Sequence, residues 1–192
     1  MRDIWVISDT HLGHENILKF ADKDGKKFRG DLFKDVDHMN EAILNNWNSV
    51  VKPGDKVYHL GDVFFGDKEK FKTLWPRFNG SKRLIVGNHD DISWLSSGSF
   101  FKKVYMWRMW PEYNIIFSHV PLHESTLAPR IQKEKYKEGD CGSEPVKVLN
   151  VHGHIHQNQS PDGPYYNVSC EAVNYTPVHI EDLAKIAKRY SE

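Results

Sequence analysis

Short apolar runs rich in β-branched residues recur along the chain and predict strands. Five such runs occupy residues 3–8, 55–61, 82–87, 113–118 and 146–151. Each is too short for a typical helix and ends on polar or glycine residues, which favours the strand interpretation. Because these runs are nearly continuous in apolar residues rather than alternating, we expect strands that are buried on both faces.

Apolar residues also recur with the helical period in the segments between these runs. The stretch 35–51 places five apolar side chains on one stripe and is followed by Pro53-Gly54, so it predicts an amphipathic helix. A second helix is predicted over 67–78, where Asn79-Gly80 is typical of a left-handed cap. The stretch 180–190 predicts a third helix.

Strands that alternate with helices predict an α/β fold. The chain has 192 residues, which suits a single domain over 1–192. The last third differs, because Asp162-Gly163 is a turn signal followed by two β-rich runs, and this pattern predicts an antiparallel hairpin. The polar stretch 122–145 predicts a long loop of the kind that often serves function.

Composition narrows the class of protein. Lys plus Arg and Asp plus Glu both number 26, so the formal charge is zero, which argues against a long nucleic acid as partner. The two cysteines, Cys141 and Cys170, make neither a disulfide scaffold nor a thiolate zinc site. The N-terminal stretch turns polar too early for a signal peptide, and no apolar run is long enough to cross a membrane. We therefore expect a cytoplasmic protein.

Carboxylates, imidazoles and one carboxamide follow the predicted strands. Seven such residues are Asp9, His11, Asp62, Asn88, His119, His154 and His156. In open α/β sheets, ligands bind beyond the carboxyl ends of the strands. Oxygen and nitrogen donors without thiolate suit manganese, iron, zinc, cobalt or nickel. Seven donors exceed one tetrahedral site, and they fit two metals if one carboxylate bridges them.

Glycines stand next to several of these donors and support the same interpretation. Gly61, Gly87 and Gly153 each precede one of the seven residues. A glycine allows a sharp turn or a close approach of the backbone to a ligand.

These residues also carry a family resemblance. In order along the chain, the motifs are Asp9-x-His11, Gly61-Asp62, Gly87-Asn88-His89-Asp90, His119 and Gly153-His154-x-His156. They resemble the five motifs of the calcineurin-like metallophosphoesterases. The phrases "SDTHLGHENIL", "YHLGDV" and "NVSCEAVNYTPV" are further similar to a small bacterial and phage subgroup with no assigned substrate. The resemblance implies two packed mixed β-sheets flanked by helices, an α/β/β/α sandwich.

The resemblance also implies roles for individual residues. Asp9, His11 and His156 would hold one metal, Asn88, His119 and His154 would hold the other, and Asp62 would bridge them. His89 would stand beside the scissile phosphate without binding metal. The motif around Asp62 departs from the serine/threonine phosphatase branch, because it continues with Phe64 and Phe65. This departure leaves the group that orients His89 unassigned, with Asp90 as a candidate by adjacency.

The leading hypothesis is a dinuclear phosphoesterase that acts on a small phosphomonoester, phosphodiester or nucleotide. A hydroxide that bridges two divalent metals, manganese first with iron, zinc, nickel, cobalt or magnesium as alternatives, would attack phosphorus. Asp62 would hold both metals, and His89 would protonate the leaving oxygen. The alternatives are a nuclease of the same fold and a metal-binding scaffold without activity.

Other polar residues have two interpretations each. His14, Asn88 and His123 are candidate substrate contacts. For His14, a solvent-exposed side chain that makes no contact with the substrate is an equal alternative. His59 and His152 are more typical of hydrogen-bonded structural histidines. Arg29 and Arg130 could clamp a phosphate, although most arginines in such positions are solvated.

Overall fold

The structure, a computed structural model, describes residues 2–21, 23–127 and 147–190. Nine strands run as β1 (Ile4–Ile7), β2 (Lys56–His59), β3 (Ser81–Ile85), β4 (Val104–Tyr105), β5 (Arg108–Trp110), β6 (Ile115–Phe117), β7 (Leu149–His152), β8 (Tyr165–Asn167) and β9 (Val178–His179) among these residues. The helices in the same part of the chain are α1 (Val36–Val50), α2 (Lys68–Leu74), α3 (Ile92–Ser97) and α4 (Ile180–Lys188).

The strands form two mixed sheets. The first sheet has the order β4-β3-β2-β1-β9, in which β9 alone runs antiparallel to its neighbour. The second sheet has the order β5-β6-β7-β8, in which β5 is antiparallel and the other three strands are parallel. Two mixed sheets with flanking helices confirm the predicted α/β class and sandwich architecture.

Alternate side chains of each central strand enter different cores. Ile7 and Leu84 pack with Trp47 of α1 in the core between the first sheet and the helices. Val6 and Ile85 pack with residues of the second sheet in the core between the two sheets, which α4 joins. Because successive side chains of a strand point to opposite faces, both faces are buried, as the apolar runs predicted.

The helix α1 follows the predicted segment closely. Asp35 caps its N-terminus, where the carboxylate accepts a hydrogen bond of 2.8 Å from the amide of His38. The predicted stripe faces the core, with Met39, Ile43 and Trp47 fully buried. The amide of Val51 donates to the carbonyl of Trp47 and ends the helix.

The second predicted helix is shorter than expected. It spans α2 and then tightens into a 3-10 turn at Trp75–Arg77. Pro76 explains the change, because proline has no amide hydrogen to continue the helical ladder. Gly80 does adopt a left-handed conformation, with φ of 88°, but it leads into β3 and does not cap the helix.

The predicted antiparallel hairpin after Asp162-Gly163 is wrong. The two β-rich runs become β8, which pairs in parallel with β7, and β9, which pairs antiparallel with β1 in the other sheet. A left-handed turn at Asn174 and Tyr175 lies between them. The runs therefore extend two separate sheets: β8 pairs with the preceding strand β7, and β9 pairs with β1 at the other end of the chain.

Three elements were not predicted, namely α3, β4 and β5. Most of the predicted loop 122–145 lies outside the described residues. In its described part, Glu124–Thr126 forms a 3-10 turn. No helix in the described ranges combines the length and the apolar character that a membrane crossing requires.

Candidate metal centre

The polar residues that follow the strands converge at the carboxyl ends of both sheets. Two groups of donors form there. In the first group, Asp9, His11 and His156 each offer a ligand atom within 4.8 Å of the others. In the second group, Asp62, His119 and His154 do the same. Each group could hold one metal ion, which accords with the prediction from strand ends.

Asp62 lies between the two groups. Its Oδ2 is 3.6 Å from Nε2 of His11 and 3.4 Å from Nε2 of His119. Asn88 joins the second group, because its Oδ1 is 2.8 Å from the same nitrogen of His119. The structure therefore brings all seven predicted donors together, with one carboxylate in contact with both groups.

Unsatisfied polar atoms in the first group fit a cation. Among the described residues, Oδ1 of Asp9 and both ring nitrogens of His11 are buried without a hydrogen-bond partner. A buried polar atom without a partner costs about 1–3 kcal/mol. Oδ1 of Asp9 and Nε2 of His11 are 3.9 Å apart, so one cation could satisfy both.

The backbone of the donors is unusual. Asp9, His11, Asp62, His154 and His156 all adopt left-handed conformations, with φ of 57°, 46°, 55°, 71° and 52°. Residues with a Cβ rarely take this conformation, although aspartate and histidine do so more often than most, and five such residues in one centre are unusual. Such strain tends to collect at functional sites, where the surrounding structure imposes it.

Two predicted glycines allow the loops to approach closely. A methyl group at Gly87 would overlap the carboxylate and amide of Asp62. A methyl group at Gly153 would overlap Oγ of Ser8 and the carboxylate of Asp9. These contacts confirm that glycine is required by close approach of the backbone at both positions.

Hydrogen bonds fix the orientation of two imidazoles. Nδ1 of His119 donates to the carbonyl of Leu60 at 2.7 Å. Nδ1 of His156 donates to Oε1 of Glu171 at 3.0 Å. A carbonyl or carboxylate oxygen only accepts, so Nδ1 carries a proton in both rings. Nε2 is therefore the nitrogen that would bind a metal once it has lost its own proton.

The sequence did not reveal the buried network behind the first group. Arg29 is fully buried, and its guanidinium donates to Glu171 at 2.7 Å and to the carbonyls of Thr10 and Asp9 at 2.9 and 2.6 Å. Ser169 adds a hydrogen bond of 3.0 Å to Oδ2 of Asp9. Arg29 is thus neither a phosphate clamp nor a solvated residue, and Arg130 lies outside the described residues.

Burial and neighbouring charges set the protonation of the donors. Burial, aided by the charge of Arg29, lowers the pKa of His11 to about 2, so its imidazole is neutral. Burial acts to raise the pKa of Asp62, but the hydrogen bond from His119 and the amide of His89 hold it below its ordinary value. Neutral imidazole and ionised carboxylate are the forms that bind metal.

Other members of the centre hold their protons more tightly. Burial raises the pKa of Asp9. Burial acts to lower the pKa of His119 and of His156, but hydrogen bonds to Asp62 and Glu171 respectively raise both above the ordinary value. A cation that binds here must displace these protons, so metal binding and proton release are coupled.

The structure places His89 at the exposed rim of the centre. Its ring centroid is 6.0 Å from that of His11 and 5.9 Å from that of Phe65. Its amide donates to Oδ1 of Asp62 at 2.9 Å. The carboxylate of Asp90 accepts hydrogen bonds from the amides of Gly87, Asp62 and Val63. Asp90 therefore holds the backbone of these loops and not the ring of His89.

The remaining predicted residues have different surroundings. The ring of His14 lies 5.5 Å from that of His11, so this residue stands at the rim. His123 caps a 3-10 turn, where its Nδ1 accepts from the amide of Ser125. The substrate contacts of both remain predictions.

The two structural histidines are buried and hydrogen-bonded, as expected. His59 contacts Oγ1 of Thr10 at 2.9 Å. His152 contacts Oγ of Ser160 and the carbonyl of Gly153, both at 2.9 Å.

Comparison with known proteins agrees with this geometry. The family model described as calcineurin-like phosphoesterase matches residues 2–186. The chain belongs to the calcineurin-like phosphoesterase family. Its membership confirms the resemblance that the five motifs carry. The family description, together with two donor groups that could bind metal, identifies the type of site but not its substrate.

Three similar proteins carry names that state no activity. The uncharacterized protein MJ1445 of Methanocaldococcus jannaschii is 29% identical over 98% of this chain and 93% of its own length. The gene 66 protein of Mycobacterium phage L5 is 28% identical over 84% of this chain and 69% of its own. The crystal structure of a protein of unknown function, AQ665 from Aquifex aeolicus, matches 97% of this chain and 100% of its own, with 27% identity and a TM-score of 0.67.

Proposed function

We propose that this protein hydrolyses a small phosphomonoester or phosphodiester at a centre of two divalent metal ions. The observation that carries the proposal is the position of Asp62, whose Oδ2 lies 3.6 Å from His11 and 3.4 Å from His119. One carboxylate shared between two donor groups suits a pair of cations close together, and such pairs serve displacement at phosphorus.

The donors divide between the two ions as follows. Asp9, His11 and His156 would hold one ion, Asn88, His119 and His154 would hold the other, and Asp62 would contact both. Bound there, the ions would supply Lewis-acid stabilisation of the phosphoryl oxygens and would lower the pKa of water. We propose manganese first, with iron, zinc, nickel, cobalt and magnesium as alternatives, because the donors are oxygen and nitrogen without thiolate.

We assign the proton transfer to His89. Its ring is exposed at the rim beside His11 and is free of the buried network that holds the donors. It donates a proton to the departing oxygen, which would otherwise leave as an alkoxide. The hydrogen bond from its amide to Asp62 ties the position of this loop to the shared carboxylate.

We further propose a small phosphoester or nucleotide substrate and a cytoplasmic location. The net charge of zero supports a small substrate over a long nucleic acid, which requires a basic footprint. Within the part of the chain that the structure describes, Cys170 is a free, buried thiol, which suits a reducing compartment.

A metal-by-substrate screen tests the proposal. The protein is stripped with chelator, reloaded with each of the six metals, and assayed against phosphomonoesters, phosphodiesters and short oligonucleotides. We expect turnover that disappears with chelator and returns with two equivalents of metal. Two bound metals without turnover of any phosphoester would leave the protein a silent scaffold.

The role of His89 has its own test. His89→Ala should lower kcat by about 10²–10⁴-fold while the metal content stays at two per chain. His38→Ala, which removes an exposed histidine at the start of α1, serves as control and should change neither quantity. Loss of metal in His89→Ala would show that the residue is a ligand and not the proton donor.

A further inference from the structure

Three rings form an aromatic shelf beside the candidate metal centre: Phe65 and Phe20 are exposed, and His14, which contacts both, is half-buried. The ring centroid of His14 is 4.5 Å from that of Phe65 and 5.8 Å from that of Phe20. Phe65 and Phe20 remain 46% and 50% exposed. Large apolar rings that stay this exposed, side by side and next to reactive groups, suggest a surface that binds a ligand.

The shelf is held in place by the chain beneath it. The amide of Phe65 donates to the carbonyl of Leu12 at 2.9 Å. Its neighbour Phe64 turns inward and packs against Phe71 and Trp94, with ring centroids 4.7 and 5.8 Å apart. The core therefore uses one phenylalanine of the pair and leaves the other partly exposed, with the ring of His14 against it.

The position of Phe65 indicates which part of a substrate it meets. Its ring lies edge-on to His89 at 5.9 Å. His89 is the residue that we assign to protonate the leaving oxygen, so the shelf lies on the side of the leaving group.

Space for an organic group adjoins the shelf. A groove of about 480 Å³ is lined by His14 and Phe65 together with polar residues that include Asn16, Asp37 and Lys70. This volume falls in the range of small-molecule sites. None of the seven metal donors is among its described lining residues, so the groove can receive the organic part while the donors hold the phosphate.

We propose that the aromatic shelf stacks against a flat aromatic part of the leaving group, such as a nucleobase, with Phe65 as the main determinant of specificity. The inference rests on the proposed phosphoesterase function. The protein would prefer esters of nucleosides to esters of plain sugars or polyols, because only a flat ring gains stacking on Phe65.

The test compares substrates that carry a nucleobase with substrates that do not. Adenosine 5′-monophosphate is set against ribose 5-phosphate, and a diadenosine phosphodiester against diglyceryl phosphate, all with the manganese-loaded full chain. In each pair that the protein hydrolyses, we expect a higher kcat/KM for the substrate that carries adenosine. Phe65→Ala and Phe65→Leu should each lower that preference about 10-fold, and Phe65→Trp should retain it. Phe20→Ala should lower it less, because its ring contacts His14 and not His89.

A control and a second measurement separate the possible failures. Tyr113→Ala removes a ring at the opposite end of β6 from His119 and should leave the preference unchanged. Saturation-transfer NMR should detect adenosine but not ribose on the wild-type protein, and the signal should fall in Phe65→Leu. Adenosine binding without hydrolysis of any phosphoester would overturn the proposed function and support the shelf. Hydrolysis with equal kcat/KM for both members of a pair, or with a preference that both Phe65→Ala and Phe65→Leu retain, would overturn the shelf.

Discussion

The two donor groups of the centre differ in how they are held. In the first group, Asp9 and His11 are buried, Arg29 donates to the backbone carbonyl of Asp9, and Glu171 accepts from His156. In the second group, Asp62 and His119 are also buried, but His154 is exposed, as is the neighbouring Asn88. The first group is therefore the more enclosed of the two, whereas the second is open to solvent at His154.

The largest expected difference concerns stability. Arg29→Met should lower the free energy of unfolding by about 3–5 kcal/mol, because the buried carboxylate of Glu171 loses the guanidinium that neutralises it and keeps only His156. Asn88→Ala, on the exposed second group, should change it by less than about 1 kcal/mol. Urea denaturation in the presence of chelator measures both.

A double variant isolates the cause. Arg29→Met combined with Glu171→Met should recover part of the loss, since two apolar side chains replace an ion pair without leaving a charge. Equal destabilisation by Arg29→Met and Asn88→Ala would contradict the idea that the first group has the firmer anchor.

The second prediction uses two histidines from the same loop. His156→Ala and His154→Ala each remove one donor, from the first and second groups respectively. Each should reduce bound manganese from two equivalents to one, with a loss of more than about 100-fold in affinity at the altered site. Equilibrium dialysis with elemental analysis gives the stoichiometry, and the ion that His154→Ala retains should be the more tightly bound. Loss of both ions in either variant would mean that the groups are not separable.

The third prediction is a dependence of stability on pH that arises in the first group. Burial acts to raise the pKa of Glu171, but Arg29 and His156 lower it from 4.5 to about 2. Because the folded pKa is below the unfolded one, the contribution to stability is complete above about pH 4.5 and is lost as the pH falls toward 2. It amounts to about 3 kcal/mol.

Denaturation of the chelated protein between pH 5.5 and 3 checks this dependence. The advantage of the wild type over Glu171→Gln should shrink as the pH falls, because the variant has no carboxylate to protonate. An advantage that stays constant over this range would show that Glu171 is not held ionised.

The smallest expected effect concerns metal affinity. Glu171→Gln should weaken the first ion about 10-fold, since glutamine still accepts from His156 but carries no charge, and Glu171→Ala should weaken it nearer 100-fold. Calorimetric titration with manganese should show no change at the second ion. Equal changes at both ions would mean that Glu171 acts on the centre as a whole.

The sequence predicted the parts of the molecule that depend on local pattern. The central strands follow from short continuous apolar runs, α1 follows from the helical period of its apolar residues, and the donors follow from their place after each strand. Residues at the carboxyl ends of neighbouring parallel strands meet by geometry, which is why residues as distant as Asp9 and His156 could be expected at one centre.

Contacts between residues that are far apart in the chain could not be predicted from local sequence pattern. Glu171 contacts Arg29 across 142 positions, and nothing in its own neighbourhood distinguishes it from a surface acid. An acidic residue inside the apolar run "NVSCEAV" was the one available signal. The strands β4 and β5, with two and three residues, are too short to display a period. The partners of β8 and β9 were missed because turn signals report local reversal, not membership of a sheet.

The left-handed backbone at five of the metal donors limits which amino acids could replace them. Asparagine and aspartate tolerate positive φ, but a glutamate in place of Asp9 would have to hold φ near 57° without the local hydrogen bonds that a shorter side chain makes. Ligand exchange at this centre is therefore limited by the main chain as well as by coordination chemistry. A redesign that seeks another metal should begin with His119, whose backbone is not among these left-handed residues.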